Sequence, residues 1–148
     1  MAIMLALSTF RRSGKAEKQA IKLAADGPGK LIIVMVADQN LARYFIGTDA
    51  VAGSKLRELC EQDLIEEHRK EGLVSAEAIA AEAEKSGVEC ESVVTIGRFA
   101  IVVLDAIAKE QPEMVVTTRA KRPNWVRRFF GSPVDTIISE APCPVVLV

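Results

Sequence analysis

The feature that most constrains the fold is the C-terminal segment 131–148, which reads GSPVDTIISEAPCPVVLV. Ser132 is followed by a proline and, three residues on, by Asp135, a pattern that predicts a capped helix start. An amphipathic tract follows, and the two prolines of APCP predict a turn. The apolar residues 145–148 then predict a short strand. The segment is therefore a helix, a turn and a strand in immediate succession.

The rest of the chain also alternates short apolar tracts with longer amphipathic tracts. We predict strands over residues 3–7, 31–37, 91–96, 114–117 and 145–148. We predict helices over residues 13–25, 55–85, 100–110 and 133–140. This alternation predicts a parallel α/β sheet with right-handed crossovers. At 148 residues the chain suits a single domain with a full-sized core.

Three local expectations follow from the same patterns. Residues 38–54 show no clear period, so we expect them to form a connection. Gly72 is expected to kink the tract 55–85 or to split it into two helices. The helix 100–110 is expected to turn one apolar face toward the sheet. The residues assigned to that face are Ile101, Leu104, Ile107 and Ala108.

Composition excludes several classes of protein. The net charge of -1 argues against a general nucleic-acid binder. The longest apolar run, residues 31–37, is too short to span a membrane, and the N-terminus lacks the features of a signal peptide. The three cysteines lie far apart, as is usual in a reducing compartment. We therefore expect a cytoplasmic protein that binds neither membrane nor nucleic acid.

The C-terminal segment resembles the terminal signature of the universal stress protein family, which runs Gly-Ser, an amphipathic helix, Ala-Pro-Cys-Pro and a valine-rich strand. Gly97-Arg98 at a helix start and Pro112 before the strand 114–117 extend the resemblance over nearly the whole chain. It implies a flavodoxin-like (UspA-like), doubly wound, five-stranded sheet with strand order 3-2-1-4-5. It also implies a regulatory or binding module associated with survival under stress, not an enzyme.

In that strand order the sheet reverses direction between strands 1 and 4, and ligands of such sheets bind at this switch point. The loops 8–15 and 118–132 would meet there. Neither loop contains an acidic residue. Their basic residues are Arg11, Arg12, Lys15, Arg119, Lys121, Arg122, Arg127 and Arg128. These side chains predict an anion site; the alternative is that they are solvated cations on exposed loops.

The family's nucleotide signature is Gly-x-x-Gly, nine residues, then Gly-Ser or Gly-Thr. Counting back from Gly131, its first two glycines fall at Thr118 and Lys121 in this chain. The family's acidic residue after the first strand falls at about Ser8. Because side chains replace the glycines that let backbone amides approach phosphate, we expect weak ATP binding or none. ATP or another phosphate-bearing ligand remains the candidate occupant of the crevice, and no cofactor is assigned.

The candidate ligand-binding residues combine the two loops with positions that match the family. They are Ser8, Thr9, Arg11, Val36, Thr118, Arg119, Lys121, Arg127, Gly131, Ser132 and Val134. Two roles stay open for Ser132, which either caps its helix only or also contacts phosphate.

No catalytic or metal-binding constellation is predicted. The only histidine, His68, lies among charged residues that are expected to form a solvated helix face. A Ser-His-Asp site would need that histidine in the crevice, and a zinc site would need further ligands. Two alternative functions stay open. One is a nucleotide-binding family member with slow phosphohydrolase activity, and the other is a purely dimeric interaction module.

The last strand is the candidate dimer interface. It is apolar, lies at the sheet edge in the implied strand order, and carries no charged residue that would discourage pairing. The resemblance implies the same contact, since family members commonly pair their final strands across a two-fold axis. We therefore expect a homodimer. The residues assigned to its interface are Val145, Val146, Leu147 and Val148.

Overall fold

The backbone forms a doubly wound α/β sheet. A computed structural model describes residues 1–46, 54–119 and 132–148, including the side chains of all of these except 43–46 and 54–58. The strands are β1 (Ile3–Ser8), β2 (Lys30–Asp38), β3 (Glu89–Gly97), β4 (Met114–Thr117) and β5 (Val145–Leu147). The helices are α1 (Gly14–Asp26), α2 (Gln39–Ile46), α3 (Ser54–Lys85), α4 (Phe99–Glu110) and α5 (Pro133–Glu140).

The strands form one parallel sheet in the order β3-β2-β1-β4-β5, as predicted. The central strands β1 and β2 are buried along nearly their whole length because helices cover both faces of the sheet. On one face, α1 and α3 pack against alternate strand residues such as Leu5 and Ile33. On the other face, α4 and α5 pack against the intervening residues, such as Met4 and Val34.

The two helix N-caps predicted from the sequence, Ser13 and Ser132, are present in the structure. Ser13 accepts a hydrogen bond from the Ala16 amide at 3.2 Å at the start of α1. That helix ends at Gly27, and Gly29, at φ 75°, turns the chain toward β2. Ser132 is the N-cap of α5, with proline in its first turn. Both helix starts follow from local side-chain chemistry alone.

The expectation that residues 38–54 form only a connection is wrong for its first half, which is α2. Asp38 accepts a hydrogen bond from the Asn40 amide at 2.9 Å where β2 ends and α2 begins. Leu41 and Ala42 are buried, and the helix packs against α3. Two turns of helix give too short a pattern to show a period, so the contact with α3 had no signature in the sequence.

Gly72 does not split α3, which runs without a break from Ser54 to Lys85. A Cβ atom at this position would lie 2.7 Å from the Thr9 methyl carbon and 3.0 Å from a methyl carbon of Val94. The glycine therefore lets α3 approach the sheet and the end of β1 closely. It does not act as a helix breaker.

The inward face of α4 also differs from the prediction. Phe99, Val103 and Ile107 are the buried residues of this helix, whereas Ile101 is 53% exposed. Ala108 is exposed as well. Most residues of α4 are apolar, so the sequence is compatible with more than one inward face. Only Ile107 belongs fully to both the predicted and the observed face.

No described helix is long and apolar enough to cross a membrane.

Candidate ligand-binding crevice

An open crevice lies at the carboxyl ends of β1, β2 and β4, where the strand order reverses. This is the position at which open α/β sheets bind ligands. Its apolar wall includes Leu41, Phe99 and Val134. Its polar lining residues are Ser8, Arg11, Asp38, Thr117, Thr118, Arg119 and Ser132.

A tight turn after β1 brings Arg11 to the crevice. The Ser8 hydroxyl accepts a hydrogen bond from the Phe10 amide at 3.2 Å, and the Arg11 amide donates to the Ser8 carbonyl at 3.0 Å. The Thr9 amide donates to the Val36 carbonyl at 2.9 Å, which ties the turn to β2. The Ser8 side chain thus stabilises the turn that presents Arg11 to a ligand.

The opposite wall is formed by the end of β4 and the start of α5. The Asp135 amide donates to the Ser132 hydroxyl at 3.4 Å, which confirms the predicted cap. Arg119 donates to the Asp135 carboxylate, and its side chain remains 42% exposed. The positive end of the α5 dipole and the Arg119 guanidinium therefore lie on the same side of the crevice, where the Asp135 carboxylate offsets part of their positive charge.

The hydroxyl protons of Thr117, the last residue of β4, and of Thr118, which follows it, are both donated within the protein. Thr117 is fully buried and donates to the Ala6 carbonyl at 2.8 Å. Thr118 donates to the Val148 carbonyl at 2.9 Å, and the Val148 amide donates to the Thr117 carbonyl at 3.0 Å. These bonds join the floor of the crevice to the end of β5. In this arrangement the Thr118 oxygen offers a ligand its lone pairs.

Asp38, which sequence reasoning did not select, lies in the crevice with only 2% of its surface exposed. The loops contribute no acid, as predicted, but β2 places a carboxylate beside them. The sequence signal that could have identified Asp38 is its position directly after the predicted strand 31–37, which lies beside β1 in the predicted strand order.

The crevice brings together six of the eleven predicted ligand-binding residues: Ser8, Arg11, Thr118, Arg119, Ser132 and Val134. Thr9 turns away, with its methyl group toward α3, and the Val36 side chain is fully buried in the core. Lys121, Arg127 and Gly131 lie outside the described residues.

Of the eight basic residues predicted at the crevice, the structure describes Arg11, Arg12, Lys15 and Arg119, and two of these four do not line it. Arg12 is paired with Glu17, with 2.6 Å between its Nη2 atom and the Glu17 Oε1 atom. Lys15 is exposed on the first turn of α1 and does not line the crevice. Glu17 also supplies negative charge near the start of α1, where the helix dipole disfavours cations. Two of the predicted basic residues, Arg11 and Arg119, line the described part of the crevice.

His68 does not lie on a solvated face. Its ring stacks on Phe10 with centroids 3.7 Å apart and an angle of 20° between the ring planes. Its side chain is 21% exposed, and its Nδ1 atom lies 3.5 Å from a Glu71 carboxylate oxygen. The prediction failed because Phe10 and His68 are distant in sequence, so no local pattern reveals their contact.

Cys90 and Cys143 lack the lowered pKa of an activated thiol. All three cysteines of the chain are free thiols. Burial raises the pKa of the Cys143 thiol, and burial together with the nearby charge of Glu84 raises the pKa of Cys90. A nucleophilic cysteine needs the opposite shift. Among the described residues, no three His, Cys, Asp or Glu side chains are placed to hold a metal ion.

Comparisons with known proteins agree with this architecture. A model of the universal stress protein family matches residues 1–148. A universal stress protein of Synechocystis sp. is 24% identical over 151 residues, covering 99% of this chain and 96% of that protein. The solved structure of UspA from Lactobacillus plantarum matches with a TM-score of 0.72 at 14% identity, covering 99% of this chain and 97% of that chain.

A solved universal stress protein family member from Arabidopsis thaliana, with AMP bound, matches with a TM-score of 0.61 at 15% identity. The match covers 100% of this chain and 91% of that chain. At these identities the structural matches establish the fold.

Proposed function

Because the chain belongs to the universal stress protein family, we propose that it is a cytoplasmic regulatory protein that binds a small phosphate-bearing ligand and does not turn it over. The observation that carries this proposal is the crevice at the switch point of the sheet. Arg11 approaches it from one side, and Arg119 with the α5 N-terminus approaches from the other. These groups favour negative charge in the crevice.

The position of the crevice, at the switch point of the sheet, is where open α/β sheets bind ligands such as nucleotides. The Arabidopsis relative of the same fold was solved with AMP bound, which supports a phosphate-bearing occupant for this chain as well. Ser132 would then both cap α5 and contact the phosphate. The apolar wall that includes Leu41 and Phe99 would take the less polar part of the ligand.

ATP is expected to bind this chain weakly. Thr118 and Lys121 occupy the positions of the two loop glycines, and Ser8 replaces the acidic residue after β1. In addition, the Ser8 and Thr118 hydroxyls already take part in internal hydrogen bonds. Calorimetry with Mg-ATP should therefore show little heat in the low-micromolar range. Tight stoichiometric binding in that range would contradict this expectation.

The ligand itself can be sought directly. The purified protein is denatured, the released small molecules are extracted, and they are identified by mass spectrometry. We expect a phosphate-bearing compound in the extract. If the extract held only uncharged compounds, the proposed phosphate site would be contradicted.

A second candidate function, that of a dimeric interaction module, is favoured by the exposed apolar edge of the sheet. Leu147 and Val148 are 41% and 39% exposed, and Ile138 on the neighbouring α5 is 43% exposed. Among the residues that the structure describes, β5 is the last strand of the sheet, and one of its edges has no strand partner there. We infer a homodimer through this edge. Its symmetric contact would place β5 of each protomer beside that of its partner.

A further inference from the structure

We propose that the open edge of β3, the side of this strand that faces away from β2, is a docking site for an extended basic segment of a partner protein. The segment would add to the sheet as a further strand beside β3. This surface lies at the opposite end of the strand order from β5. The inference goes beyond the proposed function and does not depend on any ligand in the crevice.

The backbone of β3 determines which residues face the open edge. β3 pairs with β2 in an unbroken parallel register along its whole length. The Glu89 amide donates to the Gly29 carbonyl at 2.9 Å, so the backbone groups of Glu89 point toward β2. Because the backbone groups of successive strand residues point to opposite sides, those of Cys90, Ser92 and Val94 point to the open edge.

These backbone groups are available to an added strand. Within the described part of the chain, no strand pairs with this side of β3. β3 contains no proline, lysine or arginine, and its register has no bulge, so the usual features that block an edge strand are missing from it. Ser92 is exposed, and Val93 is 48% exposed. The edge can therefore be extended by hydrogen bonds between main chains, as in other proteins that bind a peptide as an extra strand.

The charge around the start of β3 is the second observation. The Lys30 Nζ atom lies 3.2 Å from a Glu91 carboxylate oxygen. The pKa of Lys30 is raised by its hydrogen bond to Glu91 and by the charges of Glu91, Glu89 and Glu110. These carboxylates therefore surround one ammonium group. Glu84 of α3 adds a further negative charge near Cys90.

This charge selects the occupant of the edge. Glu89 and Glu91 are exposed and lie on the same face of β3, because side chains alternate along a strand. Basic residues at alternate positions of an added strand would lie about 5 Å away, beside these two carboxylates. The β3 edge of a second copy would bring like charges together, which is destabilising. The occupant is therefore an extended segment in which basic residues alternate with apolar ones.

A synthetic peptide tests the docking site on the unaltered protein. The probe has about seven residues, an ordinary strand length, in which lysine alternates with valine, and both its ends are blocked. Fluorescence anisotropy measures its affinity at low ionic strength. The same peptide with every backbone amide methylated keeps the charges but cannot donate hydrogen bonds. It should bind roughly 10- to 100-fold more weakly, as the loss of two or three main-chain hydrogen bonds implies.

Two results with the peptides would overturn the proposal. Equal binding of the methylated and unmethylated peptides would mean that charge alone attracts them and no strand is added. A peptide with glutamate in place of each lysine should not bind. If it bound as tightly as the lysine peptide, the edge would not select basic segments. Absence of binding by the lysine peptide would also overturn the proposal, and the phosphate site would be unaffected.

A Glu89→Gln/Glu91→Gln variant tests the role of the edge carboxylates. Both side chains are exposed, so the fold should be kept, and Lys30 loses its partner and adds repulsion toward the peptide. The lysine peptide should bind roughly 3- to 10-fold more weakly, the range expected for two exposed charge pairs. Asp63→Asn/Glu67→Gln, at exposed positions in the first half of α3, removes the same charge elsewhere. An equal loss in the two variants would assign the effect to overall charge and contradict the site.

Hydrogen exchange measured by NMR locates the bound peptide. In the free protein the amides of Ser92 and Val94 should exchange quickly, whereas the Val93 amide, which points toward β2, should exchange slowly. The lysine peptide should slow the exchange of Ser92 and Val94 and leave Val93 unchanged. Protection that appeared at β5 or at the crevice instead would show that the peptide binds elsewhere, and the assignment to β3 would be wrong.

Discussion

Phe10 and His68 link the crevice to the longest helix of the protein. Phe10 lies between Ser8 and Arg11 in the turn after β1, and its ring stacks on His68 of α3. Arg11 can be held at the crevice only if this turn keeps its shape. At the scale of single residues, a contact outside the crevice therefore supports the geometry inside it.

Replacing His68 with alanine should destabilise the fold by about 1 kcal/mol, the usual contribution of a packed aromatic pair beyond its buried area. His68→Phe should retain most of the stability, because a second aromatic ring can stack in the same place. Glu67→Ala, at an exposed neighbouring position, is the control and should have little effect. Chemical denaturation measures all three. If His68→Ala and Glu67→Ala were equally mild, the stacked pair would contribute nothing to stability.

What could be predicted from the sequence at this scale depends on the distance along the chain between interacting groups. The Ser132 cap was predictable, because its partner, the Asp135 amide, is three residues away. The stacking of Phe10 on His68 was not, because only the folded sheet and helix bring them together. Asp38 is intermediate. The sequence shows that Asp38 lies at the end of a predicted strand. Its position in the crevice follows only when the order of the strands in the sheet is known.

Among the secondary-structure elements, the packing of α3 on the sheet depends on one position without a side chain. Met35 of β2 and Val94 of β3 lie beneath Gly72, and Thr9 lies beside it at the end of β1. The sequence does not reveal why a glycine stands at this position. A glycine within a helical tract is compatible either with a break in the helix or with close packing against a neighbouring element. The packing of the neighbouring elements determines which of the two applies.

Gly72→Ala should destabilise the fold. The added methyl group would lie 2.7 Å from the Thr9 methyl carbon and 3.0 Å from Val94, both on short, branched side chains. Overpacking costs about 1–3 kcal/mol, and the gain in helix propensity offsets roughly 1 kcal/mol of it. We expect a net loss of up to about 2 kcal/mol in the free energy of unfolding.

Gly14→Ala is the matched control for this substitution. Gly14 opens α1, and a Cβ atom there meets nothing closer than a Glu17 oxygen at 3.9 Å. The same change should therefore be neutral or slightly stabilising. If Gly72→Ala were also neutral in urea denaturation, the close approach of α3 would not constrain this position.

For the molecule as a whole, the two edges of the sheet differ in chemistry. The β3 edge carries Glu89 and Glu91, whereas β5 is wholly apolar. Charged side chains discourage strand pairing, so the β5 edge is the better candidate for contact with a second copy. The strand order was predictable because the alternation of strands and helices, with the resemblance, allowed few topologies. Which strand residues are exposed required the structure.

Leu147→Lys should weaken the proposed dimer. Leu147 is 41% exposed at the open edge, whereas Val146 packs partly against the core, so a lysine at Val146 would also disturb the protomer. Val74→Lys, at a position 68% exposed on α3, introduces the same charge away from β5. Sedimentation at micromolar concentration should show a dimer for the wild type and Val74→Lys. Leu147→Lys should sediment more slowly. A wild-type monomer of 16.0 kDa would contradict the dimer.

If the Leu147→Lys variant were still a dimer, the interface would not lie at the β5 edge. The bond from Thr118 to the Val148 carbonyl lies beside this edge, so the crevice and the proposed interface share a strand end. The two proposals nevertheless depend on different residues and can fail separately.

The most direct test of the phosphate site is the effect of methyl phosphate on the melting temperature at constant ionic strength. Binding at about 100 times the dissociation constant adds roughly 2.7 kcal/mol of stability. The wild type and a Lys18→Ala/Lys22→Ala control, altered at exposed positions of α1, should show the same rise in melting temperature. An Arg11→Ala/Arg119→Ala variant should show a much smaller rise. An equal rise in all three proteins would mean that the crevice arginines are only solvated surface cations, and the account of the crevice would be wrong.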